Sequence, residues 1–241
     1  GKAKGRGRSG SRGENVVNLL FEAYKEGTVL DLVEAAVASK HSLSPRLVLS
    51  LFLQVCRAVK AMHELGGKEG PLAHRDIKPH NVLLSSENAP SAGGMAAKSF
   101  LAVLMDFGST RSARITVTSR QEALKCQEEA EAHSTGTYRP PELFDTPSNC
   151  SIDERTDIWS LGCLLYYMCY GESPFEYVLN EAGGSLALAV MSGKVAWPDH
   201  GVGYHPLIVD LIKECLVQDI EARPFIQPLM ESTEKAIASL D

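Results

Sequence analysis

The sequence predicts an α+β protein, mainly helical with a small amount of strand, and three observations carry that reading. Ser44-Pro45 supplies an N-cap and a proline at the first helical position. Leu47, Val48, Leu51, Phe52, Val55, Ala58, Val59 and Met62 follow at helical spacing, so a long helix runs to about Glu64. WSLGCLLYYMCY, Trp159 to Tyr170, is the most apolar stretch; at about a dozen residues it suits a buried core helix and is too short to span a bilayer. VLL (Val82 to Leu84) and FLAVLMD (Phe100 to Asp106) read as two short strands joined by a polar loop with glycine and proline.

The remaining elements follow in chain order. Residues 1–15 read as a disordered, basic, Gly-rich segment. VVNLLFEAY, Val16 to Tyr24, is a strand candidate closed by the KEGT turn, and Val29 to Ala38 is a short helix. SRQEALKCQEEAEA, starting at Ser119, combines strong helix formers with an N-cap serine, a helix within what is otherwise loop. Asp153 is the expected cap of the apolar helix that ends at Tyr170. Further helices are expected near 184–193, 205–217 and 224–239. The 241 residues suit a single core-forming domain.

Charge and cysteine use limit the function classes. Lys2, Lys4, Arg6, Arg8 and Arg12 precede the first acid, Glu14, and the rest of the chain carries −11 of the overall −6. A basic opening can touch phosphate-bearing partners, but a solvated Gly-rich loop explains it more simply, and the acidic body argues against general nucleic-acid binding. Cys56, Cys126, Cys150, Cys163, Cys169 and Cys215 show no CxxC pair and no metal-ligand spacing, a pattern of reduced thiols that fill cores. No secretory signal or transmembrane run is visible, and the expected location is cytoplasmic.

The chemistry lies in three strings in fixed order, HRDIKPHN at 74–81, DFG at 106–108 and GTYRPPE at 136–142, followed by DIWSLG at 157–162. Each alone is a weak signal; all four in this order, with a strand pair between the first two, are specific. Together they resemble a eukaryotic protein kinase, which implies a protein-kinase-like fold, mainly its helical C-terminal lobe. EAYKEGTVLDLVE, VLMDFGS, the helix near 120–132, STGTYRPPELFD and IDERTDIWSLGCLLYYMCYGESPFE further resemble the Numb-associated kinase family, most similar to its serine/threonine kinase sixteen type, over about residues 16–235.

The resemblance implies transfer of the γ-phosphoryl of ATP, with magnesium, to Ser/Thr hydroxyls of proteins. That chemistry needs alignment and charge neutralisation more than covalent help. Asp76 would accept the substrate hydroxyl's proton, Lys78 would reach the moving phosphoryl, and Asn81 and Asp106 would be the oxygen ligands of magnesium. Lys78 indicates serine/threonine rather than tyrosine substrates, and Thr137 is the expected bridge between Asp76 and Lys78. His74 and Asp157 are expected to support the loop, Glu142 and Arg223 to form a buried ion pair, Phe107 to pack under the site and Gly108 to permit the turn. Arg75 would face the activation segment, where Ser134 and Thr135 are candidate phosphorylation sites.

For the nucleotide, residues 21–25 would be the hinge, with Phe21 as gatekeeper. The Glu22 carbonyl and Tyr24 amide would meet the adenine edge, Leu83 would form the floor and Asp31 would meet the ribose. Residues 16–237 then read as a kinase domain lacking most of its N-terminal lobe: no GxGxxG strand loop and no VAIK-like lysine precede the hinge. A chain so built is expected to be inactive by itself. The alternative is a noncatalytic scaffold or short isoform that uses the helical lobe for protein interaction. The family also implies membrane-traffic partners and a location peripheral to Golgi or other membranes.

Overall fold

The computed structural model describes residues 24–67, 70–86, 100–176, 184–197 and 204–240. The expected disordered segment 1–15, the strand candidate at 16–23 with Phe21 and Glu22, and the loop at 87–99 lie outside the described residues.

Helix α1, Val29–Ala38, starts in a capping box: the Thr28 hydroxyl accepts from the Asp31 amide, and the Asp31 carboxylate accepts from the Thr28 amide at 2.7 Å. Helix α2, Pro45–Leu65, is capped by Ser44, whose hydroxyl accepts from the Leu47 amide at 3.3 Å, with Pro45 at the first helical position. It buries Val48, Leu51, Phe52, Val55, Val59 and Met62 along one side.

Strand β1, Leu72–Ala73, leads to the HRDIKPHN loop; β2, Val82–Ser86, and β3, Phe100–Leu104, form an antiparallel pair in the register Val82↔Leu104 to Ser86↔Phe100. Gln54 of α2 anchors this pair, donating to the Phe100 carbonyl at 3.1 Å and accepting from the Ala102 amide at 2.8 Å. Short strands the sequence does not announce follow: β4, Arg111–Ser112, pairs with β1, and β5, Ile115–Val117, pairs with β6, Cys150–Ile152. Their two- and three-residue lengths leave no readable period.

Helix α3, Arg120–His133, has Ser119 as its N-cap, as expected. After the short α4, Pro141–Phe144, comes α5, Arg155–Tyr170, the hub of the core, with Ile158, Trp159, Leu161, Leu164, Leu165 and Tyr166 fully buried. Asp153 is not its N-cap. That position falls to Glu154, in the right-handed helical region, while Asp153 accepts from the Arg155 amide at 2.9 Å and clasps the Arg155 guanidinium at 2.7 Å. At Gly162 a Cβ would lie 2.5 Å from that of Cys215, which explains the glycine in DIWSLG as a helix-to-helix close approach. Helices α6, Leu186–Ser192, α7, Pro206–Cys215, and α8, Ile226–Ala238, complete the body, α8 against α2 and α7 against α5. All six cysteines are free, four of them buried. No helix among the described residues is long and apolar enough to cross a membrane.

Candidate phosphotransfer site

The site is built on a buried carboxylate. Asp157, fully buried on α5, accepts from the His74 amide at 2.8 Å, the Arg75 amide at 3.0 Å and the His63 ring at 3.1 Å. Two successive N–H groups held by one carboxylate fix the loop's backbone, including the left-handed Arg75, at φ 70°. Burial opposes ionisation of Asp157, but the bonds from His63 and from the two amides outweigh it and hold the carboxyl below its ordinary value. The His74 ring takes the Asp76 amide on Nδ1 at 3.3 Å and reaches the Met105 carbonyl with Nε2 at 3.1 Å, which assigns its proton to Nε2.

On this frame the Asp76 carboxylate is nearly surrounded. Lys78 Nζ is 2.7 Å from Oδ2, and the Thr135 hydroxyl and amide donate to Oδ1 at 2.7 and 3.0 Å. Lys78 also donates to the Thr135 hydroxyl at 2.8 Å. Burial would raise the Asp76 carboxyl, but these bonds and the lysine's charge prevail and hold it below its ordinary value, so it is an ionised acceptor at neutral pH. Asn81 Nδ2 donates to the Asp76 backbone carbonyl at 2.8 Å and to its carboxylate at 3.1 Å. Both donors of that amide nitrogen are thereby used on Asp76, and the side-chain oxygen is turned away from it.

The bridge between Asp76 and Lys78 is therefore Thr135, not Thr137 as the sequence suggested. Thr135 is extended, at φ −80° and ψ 121°, and the single 3-10 turn Gly136–Tyr138 carries Thr137 away; its carbonyl instead accepts from Ser173 at 3.1 Å. Two threonines two residues apart carry the same sequence signal, and only the turn separates them.

The register of β2 on β3 brings the second half of the site into place. Val82 faces Leu104, the Met105 amide donates to the Asn81 carbonyl at 2.9 Å, and Asp106 follows at the same end of the pair as Asn81. Asp106 is the left-handed residue, at φ 63°, and its carboxylate accepts from the Gly108 amide at 3.2 Å. Gly108 therefore does not supply the left-handed turn. Its missing Cβ instead leaves room beside the Asp106 carboxylate, which such an atom would approach to 3.2 Å. Phe107 touches the His74 ring, with centroids 5.6 Å apart, yet is 56% exposed, so it does not pack under the site among the described residues.

The nucleotide residues stand as follows. Leu83 is half-buried on the face of β2 away from the core and bridges to Thr28. Tyr24 is the first described residue, and Glu22 lies outside the described residues. Asp31 is half engaged: the Thr28 amide and hydroxyl both donate to its Oδ2 at 2.7 Å in the capping box of α1. Arg223 and Glu142 form the expected buried pair, two parallel bonds at 2.9 and 3.0 Å. Ser134 donates to the Ala130 carbonyl and accepts from Arg139, so the hydroxyls of both Ser134 and Thr135 are engaged.

No group of three or more His, Cys, Asp or Glu that could hold a metal occurs among the described residues. The candidate donors are one amide oxygen and one carboxylate, Asn81 and Asp106. Two hard oxygen donors fit a magnesium ion that takes its other ligands from phosphate and water.

A helical lobe with this aspartate–lysine–asparagine loop and a second aspartate at the end of a strand pair defines a kinase-like α+β fold. The chain belongs to the protein kinase domain family, whose model matches residues 9–233. It is 34% identical over 274 residues to a probable serine/threonine-protein kinase of Dictyostelium discoideum, covering 92% of this chain and 73% of that protein. It is 37% identical over 218 residues to serine/threonine-protein kinase 16 of Rattus norvegicus, covering 90% of this chain and 64% of the relative, so the chain spans a little under two thirds of that protein's length. It is also 34% identical over 219 residues to actin-regulating kinase 1 of Saccharomyces cerevisiae, covering 91% of the chain and 30% of that protein.

Proposed function

We propose that this chain carries the catalytic lobe of a serine/threonine protein kinase that transfers the γ-phosphoryl of Mg-ATP to protein hydroxyls. The observation that carries the reading is the Asp76 carboxylate, held ionised by Lys78 and Thr135 and flanked by Asn81. A depressed carboxyl is a weak base in the ground state, so Asp76 serves first to orient the incoming hydroxyl by accepting its hydrogen bond, and takes the proton as the new bond forms. Lys78, already 2.7 Å from that carboxylate, keeps a positive charge where the phosphoryl passes.

Bound magnesium would neutralise phosphate charge, held through Asn81 and Asp106. Leu83 would supply an apolar floor for adenine, with the Glu22 carbonyl and Tyr24 amide at its polar edge. Asp31, whose Oδ2 takes both bonds from Thr28, would meet the ribose through its other carboxylate oxygen. The resemblance to the Numb-associated kinases supports membrane-traffic proteins as partners and a cytoplasmic site peripheral to Golgi membranes.

The test is Mg-dependent transfer of labelled phosphate to a Ser/Thr protein mixture by the natural protein containing these residues. The expected result is transfer that Asp76→Asn abolishes while the thermal transition stays within a few degrees of wild type. Transfer that survives Asp76→Asn refutes the assignment. Binding of partners by the lobe with no Asp76-dependent transfer would instead favour the scaffold reading.

A further inference from the structure

Helix α5 and the residues just past it hold the segment bearing Thr135 from beneath. Ser160 of α5 donates to the Tyr138 carbonyl at 2.8 Å, and Ser173, beyond the helix end, donates to the Thr137 carbonyl at 3.1 Å. Two successive carbonyls of the 3-10 turn Gly136–Tyr138 are thus fastened to one support. That turn closes back on Thr135, whose carbonyl accepts from the Tyr138 amide at 3.0 Å. Ser173 is itself firmly placed. It is 1% exposed, its amide donates to the Glu176 carboxylate at 3.0 Å, and its carbonyl accepts from the Glu176 amide at 3.1 Å. Phe175 beside it stacks on Trp159 of α5, with ring centroids 5.6 Å apart. A hydroxyl has a single proton to donate, and the Thr137 carbonyl takes it, while the Phe175 amide comes to the same oxygen at 3.5 Å.

We propose that Ser173 is a positioning residue for phosphoryl transfer, its hydroxyl fixing the turn that presents the Thr135 hydroxyl to Asp76 and Lys78. The path is continuous. Ser173 holds the Thr137 carbonyl, the turn carries that restraint to Thr135, and Thr135 meets Asp76 at 2.7 Å and Lys78 at 2.8 Å. Asp157 of α5 holds the His74 and Arg75 amides, so the same helix supports both the loop that carries Asp76 and the threonine that orients it. Ser173 touches none of the reacting groups and acts only through Thr135. Without its hydroxyl the Thr137 carbonyl loses its donor and turns toward another partner. A small displacement of Thr135 then matters, because alignment is most of this catalysis. The inference rests on Asp76 as the residue that orients the substrate hydroxyl.

The experiment compares wild type, Ser173→Ala, Thr135→Ala and the double variant in the natural protein containing these residues, by two readouts. The first is turnover, measured well below the thermal midpoint. Ser173→Ala is expected to lower kcat roughly twofold to tenfold, the effect of one neutral hydrogen bond, with the KM for Mg-ATP unchanged. In the Thr135→Ala background the same change should lower kcat by less than about twofold, because the group that Ser173 positions is gone. The second readout needs no turnover: hydrogen exchange of the Thr135 amide, which donates to Asp76 at 3.0 Å. Ser173→Ala should speed that exchange several-fold and leave the His74 and Arg75 amides, which Asp157 holds, as slow as in wild type.

A kcat unchanged by Ser173→Ala overturns the proposal. So does an equal loss with Thr135 present and absent, since the hydroxyl then acts by another route. Exchange that speeds alike at Thr135, His74 and Arg75 also overturns it, because that is a general loosening of the fold. Asp76→Asn separates this inference from the reading beneath it. Faster exchange confined to Thr135, in a protein whose transfer is absent or survives Asp76→Asn, supports the placement of Thr135 by Ser173 and refutes the phosphotransfer reading alone.

Discussion

The Thr135 hydroxyl lies 2.7 Å from an Asp76 carboxylate oxygen and 2.8 Å from the Lys78 ammonium, donating to the first and accepting from the second. One side chain thus fixes the spacing of the two groups that phosphoryl transfer would use. Hydrogen bonds to charged groups contribute about 1.5–3 kcal/mol, so Thr135→Ala should lower kcat by about tenfold to a hundredfold. Thr135→Ser, which keeps the hydroxyl, should recover most of it. Equal rates for the alanine and serine variants would show that the bridge has no part in turnover.

Asp106 and Asn81 come to the same end of the β2–β3 pair by register, and their oxygens are the only donors we assign to magnesium. Asp106→Asn should raise the magnesium concentration needed for nucleotide binding while leaving the fold intact, since Asp106 is exposed and, among the described residues, bonded to the Gly108 amide. Titration of magnesium against a fluorescent ATP analogue checks this. An unchanged magnesium requirement would remove Asp106 from the metal site.

The elements that the sequence displays are those with enough length to show a period. Helix α1 lies where the apolar spacing put it, and α2 and α3 begin at Ser44 and Ser119 because capping serines are local signals. Strands β1, β4, β5 and β6 are too short to read, and their partners lie tens of residues away. The loop residues Asp76, Lys78 and Asn81 were legible because their spacing is fixed by the chain itself. Thr135 was not, since its role depends on which way one turn points, and the capping bonds from Thr28 to Asp31 Oδ2 were not read either. Glu34, Glu172 and Glu176, which line one cleft beside Thr135, come together only in three dimensions.

Buried Asp157 ties stability to pH. Its carboxyl is lowered in the fold, so it stabilises the folded state above the unfolded value of about 3.9, and that contribution is lost as pH falls through the folded value. Acid unfolding followed by circular dichroism below about pH 3.9 should be steeper for the wild type than for Asp157→Asn, which should also be less stable at neutral pH. Parallel acid limbs for the two proteins would contradict the linkage.

Arg223 is 2% exposed and bonds Glu142 through two parallel contacts, together with the Val217 and Arg155 carbonyls. Removing one member strands the other charge in the core. Arg223→Met and Glu142→Gln should each destabilise the fold by about 3–5 kcal/mol, seen as a lower midpoint in urea. A loss below about 1 kcal/mol would mean that the pair is solvated like a surface ion pair.

Helix α3 should be ordered by its own chemistry, without phosphorylation. Ser119 accepts from the Glu122 amide at 3.3 Å, and the Glu122 carboxylate closes back on the Thr118 amide and hydroxyl at 2.7 and 2.8 Å. Those bonds lower the Glu122 carboxyl, the Thr118 amide first, so the cap is complete at neutral pH. Ala123, Cys126 and Ala130 are buried, and the last two pack with Leu143 and Ile152, while Glu129 pairs with Arg111 at 3.2 Å. Cap and packing together outweigh the marginal stability of an isolated helix of this length. Amides in the interior of 120–133 should therefore exchange slowly in dephosphorylated protein. Ser119→Ala should destabilise the helix by about 0.5–2 kcal/mol and speed exchange first at its N-terminal turn. Fast exchange along the whole of 120–133 before any phosphorylation would show that something other than the cap and the small-residue face holds this segment.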